Sequence, residues 1–104
     1  MYIVTIHFPN SDGATFDFNH FHRQHLPEVG KAFLPFGLGW ASVLHGQQSL
    51  DGSEPAFFAL ILLSFPTEQA ARNAFASEAA AVLMSEVPNF TSVTPQVQFN
   101  LSVK

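Results

Sequence analysis

Three histidines fall within six residues, His20, His22 and His25. Imidazole titrates near neutrality, so any of them can serve as a general acid or base. Helical spacing allows Phe21, His22 and His25 to share a face. His25 also lies two residues before Pro27, which lacks an N–H and crowds the carbonyl of Arg23. A helix break around His25-Leu26 would expose the ring to a neighbouring cavity, which makes His25 the candidate catalytic residue. The same break also allows a structural role, with the ring capping freed carbonyls. A metal site would draw on His22, His25 and Glu28 at steps of three, but the break spoils that register and no metal is expected.

Other chemistries lack their residues. The chain has no cysteine, hence no thiolate nucleophile, disulfide or thiolate metal site. It has no G-x-S-x-G elbow, and Gly37 and Gly39 belong to no G-x-G-x-x-G or phosphate-binding loop. The expected site is therefore free of cofactors. His7 reads as a core or edge residue of a strand, and His45 as solvated beside a hairpin loop. Aromatic residues supply the pocket: Phe21, Trp40, Phe57 or Phe58, and Phe90 can line it, with His22, Asn89, Thr91 and His25 as orienting polar groups. The substrate-binding set expected is Phe21, His22, Trp40, Phe58, Asn89 and Phe90. One cavity cannot use all twelve phenylalanines, so most of them must be core.

Of the 104 residues, 47% are hydrophobic and only 12% charged. A single domain spanning 1–104 can bury one core, yet apolar surface is left over. The net charge of −4 includes only four basic residues, Arg23, Lys31, Arg72 and Lys104, scattered singly. That pattern excludes a phosphate-neutralising stripe and with it nucleic-acid binding. The longest apolar run, Ala56 to Leu63, is far short of the roughly 20 residues that span a bilayer. No membrane partner is expected, and the location expected is cytoplasmic.

The elements follow from periodicity. Tyr2 to Phe8 reads as a strand ended by Pro9-Asn10-Ser11-Asp12-Gly13. Helical spacing from a Thr15 cap is interrupted at Pro27 and followed by a short segment near Glu28 to Phe33. Trp40 to His45 and Phe57 to Phe65 form a hairpin around a polar loop tipped by Asp51-Gly52. Thr67 caps one alanine-rich helix from about Glu68 to Ser85. Val93 to Leu101 alternates as a last strand. The order β-α-β-β-α-β predicts an α+β, ferredoxin-like protomer: a four-stranded antiparallel sheet with helices on one face. The strands at Tyr2–Phe8 and Phe57–Phe65 are apolar on both faces, so the bare face needs a cover. A second copy would supply it, giving a homodimer whose facing sheets enclose an apolar cavity.

Two stretches, Phe16-Asp17-x-x-x-Phe21-x-x-x-His25-Leu26-Pro27 and Pro88-Asn89-Phe90-Thr91-x-x-x-Pro95-x-x-Gln98, resemble the EthD family, associated with ethyl tert-butyl ether degradation. The resemblance covers nearly the whole chain and implies a dimeric α+β barrel. The family's H-x-P histidine falls on His25. Where the family usually has paired tyrosines, this chain has His20-Phe21, so a phenolic donor is lost there. Related domains resemble cofactor-free decarboxylases or dehydratases of aromatic polyketides, and other dimeric barrels are monooxygenases, isomerases or haem enzymes. Asn89-Phe90-Thr91 also reads as a structural turn. The function expected is cofactor-free acid/base chemistry (isomerisation, dehydration or decarboxylation) on an apolar or aromatic carbonyl compound, with His25 as acid/base. The alternatives are a non-catalytic ligand-binding or accessory protein using the same cavity, a structural dimer whose cavity is filled by side chains, and a haem-binding variant.

Overall fold

The structure is a computed structural model and describes residues 1–103. Strands β1 (Tyr2–Pro9), β2 (Ala41–His45), β3 (Phe57–Phe65) and β4 (Gln96–Leu101) form one antiparallel sheet in the order β2-β3-β1-β4. Helices α1 (Phe18–His20), α2 (Leu26–Phe33), α3 (Glu68–Phe75) and α4 (Glu78–Glu86) pack on one face of it. This is the expected α+β, ferredoxin-like topology. No helix among the described residues is long and apolar enough to cross a membrane.

The two central strands explain the layering. Val4, Ile6 and Phe8 of β1, with Ala59, Ile61, Leu63 and Phe65 of β3, alternate along their strands and are buried beneath the helices. The intervening residues turn to the other face, where Ile3, Leu60 and Leu62 are only partly covered and Leu44 of β2 is 48% exposed. Polar residues flank this apolar patch on the same face. Asn100 Nδ2 donates to Thr5 Oγ1 (3.1 Å) and Gln98 Nε2 donates to Asn100 Oδ1 (2.6 Å), while His7 Nε2 lies 2.8 Å from Thr5 Oγ1. The sheet therefore has one covered and one bare face, as the sequence implies.

Three local features differ from the sequence reading. The first helix is capped by Asp17, whose Oδ1 accepts from His20 N (3.1 Å), rather than by Thr15. Phe16 instead forms an isolated bridge with Thr91. The interruption before Pro27 is a π-turn over Phe21–His25, closed by Leu26 N donating to Phe21 O. Pro27 then falls in the first turn of α2, where its fixed φ suits the helix. Finally, the alanine-rich helix is two helices. Ser77 Oγ donates to Ala74 O (2.6 Å) at the end of α3 and accepts from Ala80 N (3.2 Å) at the start of α4. Thr67 caps α3 as expected, accepting from Ala70 N at 3.0 Å. The last strand is shorter than its alternating pattern, beginning at Gln96.

The hairpin depends on one close backbone approach. Gly46 N donates to Phe58 O (2.9 Å) just beyond β2, and a Cβ at Gly46 would overlap the Phe57 carbonyl oxygen. Gly46→Ala is expected to destabilise the protein by about 2 kcal/mol through forced displacement of β3, read as a lower urea midpoint with an unchanged slope. A midpoint equal to that of the wild type would show that the hairpin end shifts freely.

Candidate functional site

The π-turn sets the site. Its wider turn aligns residues four apart, so Phe21 stacks on His25 (ring centroids 6.0 Å, interplanar angle 22°). His22 leaves that face altogether, and the shared face of Phe21, His22 and His25 that regular helical spacing predicts does not form. Phe90 supports the His25 ring from another side at 4.7 Å. Phe21, His25 and Phe90 are all buried, at 0%, 6% and 4% exposure.

His25 lines a cavity of about 420 Å³. Ile6 and Phe8 of β1 form its floor, α2 contributes Val29 and Phe33, and α4 contributes Ala80, Ala81, Leu83 and Met84. Val97 and Phe99 of β4 and Phe75 of α3 complete the far side. The cavity lies between helices and sheet, on the opposite side of the sheet from the bare face that a second copy is expected to cover. The reason is the small volume of Ala76, Ala80 and Ala81, which line a wall that larger side chains would have closed. Met84 and Val97, 43% and 36% exposed, border the cavity where α4 faces the edge strand β4.

The electrostatics of this cavity are set by one group. Among the described residues, no lysine, arginine, aspartate or glutamate lines it, and His25 is its one titratable residue. Nδ1 of His25 is buried and has no hydrogen-bond partner among the described residues. An orphaned ring nitrogen is costly in a core. Burial, with a smaller contribution from the nearby His20, pushes the His25 pKa down from its ordinary 6.5 to about 4. The ring is therefore neutral at physiological pH.

The remaining expected binding residues lie elsewhere. Phe58 stacks on Phe16 at 5.3 Å and does not line the cavity. Trp40 is 41% exposed just before β2, its backbone N–H donating to Ser64 Oγ (2.8 Å). Asn89 is exposed and borders a separate open depression with Thr15, Asp17 and Ser92. Its neighbours are structural: Thr91 Oγ1 donates to Thr15 O (2.7 Å) and accepts from Val93 N (3.2 Å). His45 is exposed, as expected, but meets His22, with the two Nε2 atoms 2.6 Å apart. Burial and His22 both lower its pKa. The metal set considered in the sequence is not assembled, since His22 and His25 diverge and no group of three or more His, Cys, Asp or Glu gathers among the described residues. Sequence reasoning missed the apolar walls. Val29 and Phe33 follow His25 at steps of four, which was the available signal.

Sheet order and one-sided helices define an α+β protein with a ferredoxin-like fold. No protein-family model and no curated protein matches the chain. Among solved structures it is similar to an EthD-like protein from Ralstonia eutropha JMP134, with a TM-score of 0.86 and 23% identity over 99% of this chain and 92% of that one. An ethyl tert-butyl ether degradation (EthD) family protein from Bacillus halodurans C-125 gives 0.78 at 14% identity, covering 99% of both chains. SnoaB, a cofactor-independent oxygenase from Streptomyces nogalater, gives 0.65 at 10% identity over 99% and 92%. The likeness to EthD-like proteins carried by the two sequence motifs thus extends to the fold.

The lowered His25 pKa has a defined consequence for stability. The unfolded chain binds the proton near pH 6.5 and the folded chain only near pH 4, so stability is full above the first value and falls as the pH drops towards the second. The complete loss is about 3 kcal/mol. His25→Phe is expected to remove this part of the acid dependence and, by eliminating an unpaired buried nitrogen, to be at least as stable as the wild type at pH 7.5. Urea midpoints of both proteins at pH 7.5, 5 and 4 check it; parallel declines would place the His25 pKa near its ordinary value.

Proposed function

We propose that the protein takes an uncharged apolar or aromatic carbonyl compound into the His25 cavity and performs cofactor-free proton chemistry on it. The observation that carries this reading is the His25 imidazole in the wall of an otherwise largely apolar cavity of about 420 Å³, within the range of small-molecule sites. The accessible ring nitrogen of His25 would accept a proton from an acidic carbon beside the carbonyl, leaving the C–H electron pair in an enolate, and return a proton to the same carbon or a neighbouring one. Phe21 and Phe90 would hold the ring, and Phe8 and Phe33 would hold the apolar body. Phe21 and Phe90 therefore act through His25, whereas Trp40, Phe58, Asn89 and His22 have no part in this arrangement.

A pKa near 4 makes the imidazole a weak base, so only substrates with unusually acidic C–H bonds suit it. That same weakness favours a second reading, in which His25 only contacts a carried ligand. Exchange of the C1 protons of 2-tetralone in D2O, followed by proton NMR, separates the two. Catalysis predicts roughly 10²-fold acceleration over buffer, lost in His25→Ala. Binding by calorimetry without acceleration would support the carrier, and neither binding nor acceleration across a panel of aryl ketones would overturn both.

The assembly we propose is a homodimer through the bare sheet face. An uncovered patch containing Ile3, Leu44, Leu60 and Leu62 supports it, because such a patch is disfavoured in water. Light scattering is expected to give twice the chain mass for the wild type and the chain mass for Leu62→Lys; a monomeric wild type at micromolar concentration would exclude the dimer.

A further inference from the structure

Outside the His25 cavity, one pair of side chains converges without any role in the reading above. His22 from the π-turn and His45 from the end of β2 bring their Nε2 atoms within 2.6 Å, although 23 residues separate them in the chain. Both are exposed. Each rests on an aromatic ring, His45 on Phe18 (4.7 Å) and His22 on the edge of Phe21 (5.7 Å). The π-turn makes the convergence possible by turning His22 away from His25 and towards the sheet edge. Single-turn π-bulges of this sort are frequent at functional sites.

We propose that His22 and His45 form a two-imidazole site for a borderline divalent transition cation such as Zn²⁺, Ni²⁺ or Cu²⁺. Imidazole nitrogen suits these ions, whereas Mg²⁺ and Ca²⁺ require oxygen ligands that the pair does not provide. Two nitrogens at Zn–N distances of about 2.0–2.1 Å and a tetrahedral angle lie about 3.3 Å apart. The rings therefore part by about 0.7 Å to admit the ion, a small side-chain rotation at an exposed position. No third His, Cys, Asp or Glu completes the set among the described residues, so water fills the other coordination positions. The ion would be exchangeable and would tie the π-turn to β2.

The test uses the full chain without an affinity tag, dialysed against EDTA and titrated with NiCl₂ and ZnCl₂ by calorimetry. One cation per chain is expected, with a Kd tighter than about 100 µM. His22→Ala and His45→Ala are each expected to weaken binding at least tenfold, while His20→Ala leaves it unchanged. Nitrogen couplings in the electron paramagnetic resonance spectrum of the Cu²⁺ form should indicate two imidazoles in the wild type and one in either variant. Circular dichroism verifies that the variants fold. Absence of saturable binding, binding that survives either substitution, or equal binding of MgCl₂ would overturn the proposal.

Discussion

Four phenylalanine rings hold the site end of this molecule together. Phe8, Phe16, Phe21 and Phe90 each touch the other three, with centroids between 5.0 Å for Phe16–Phe21 and 5.7 Å for Phe8–Phe90. They come from β1, the segment before α1, the π-turn and the chain after α4. Edge-to-face packing adds orientation to burial, so the cluster fixes angles as well as distances. Backbone bonds run alongside it: Asp17 N donates to Phe90 O (2.6 Å) and Ser92 N donates to Thr15 O (3.2 Å). Phe21 and Phe90 also flank His25, so the cluster that closes the core also aims the imidazole.

A buried imidazole with one unpaired nitrogen beside an apolar cavity opposes stability. Filling the cavity would recover dispersion contacts, and replacing the ring would remove a desolvated polar atom. The alanines of α3 and α4 keep the space open, at Ala76, Ala80 and Ala81. Local conflict of this sort concentrates at functional sites, where packing yields to chemistry. Here the conflict is confined to one end of the helical layer, while β1 and β3 retain a continuous row of fully buried side chains from Val4 through Leu63.

The sequence carried the architecture because its signals are local. Alternation in β1 and β3, the Thr67 cap and the Asp51-Gly52 turn each depend on neighbours within a few residues, and each lies where its pattern places it. Ser77 was overlooked because the alanines around it continue a helical pattern through a residue that caps equally well. Pro27 drew attention to the right place for an incomplete reason: the irregularity precedes it and accommodates it. The site was less legible. His25 was visible through the break beside it, and Phe21 through spacing. Trp40, Phe58 and Asn89 were chosen by residue type, which carries no direction. The contact between His22 and His45 joins two elements whose relative placement follows only from the assembled sheet.

The alternation of β1 also separates two properties that the composition alone entangles. Ile6 and Phe8 floor the cavity, while Thr5 and His7 turn to the bare face, so neighbouring residues of one strand serve opposite surfaces. Every wall of the cavity comes from the helical side of the sheet and from a single chain. A partner laid against the bare face would therefore complete no part of the cavity. It could influence the cavity only by shifting strands, and β1, like β3, is held by neighbours on both edges. The excess of apolar residues thus divides in two: one part surrounds a space for a ligand, and the other is left for contact with another surface.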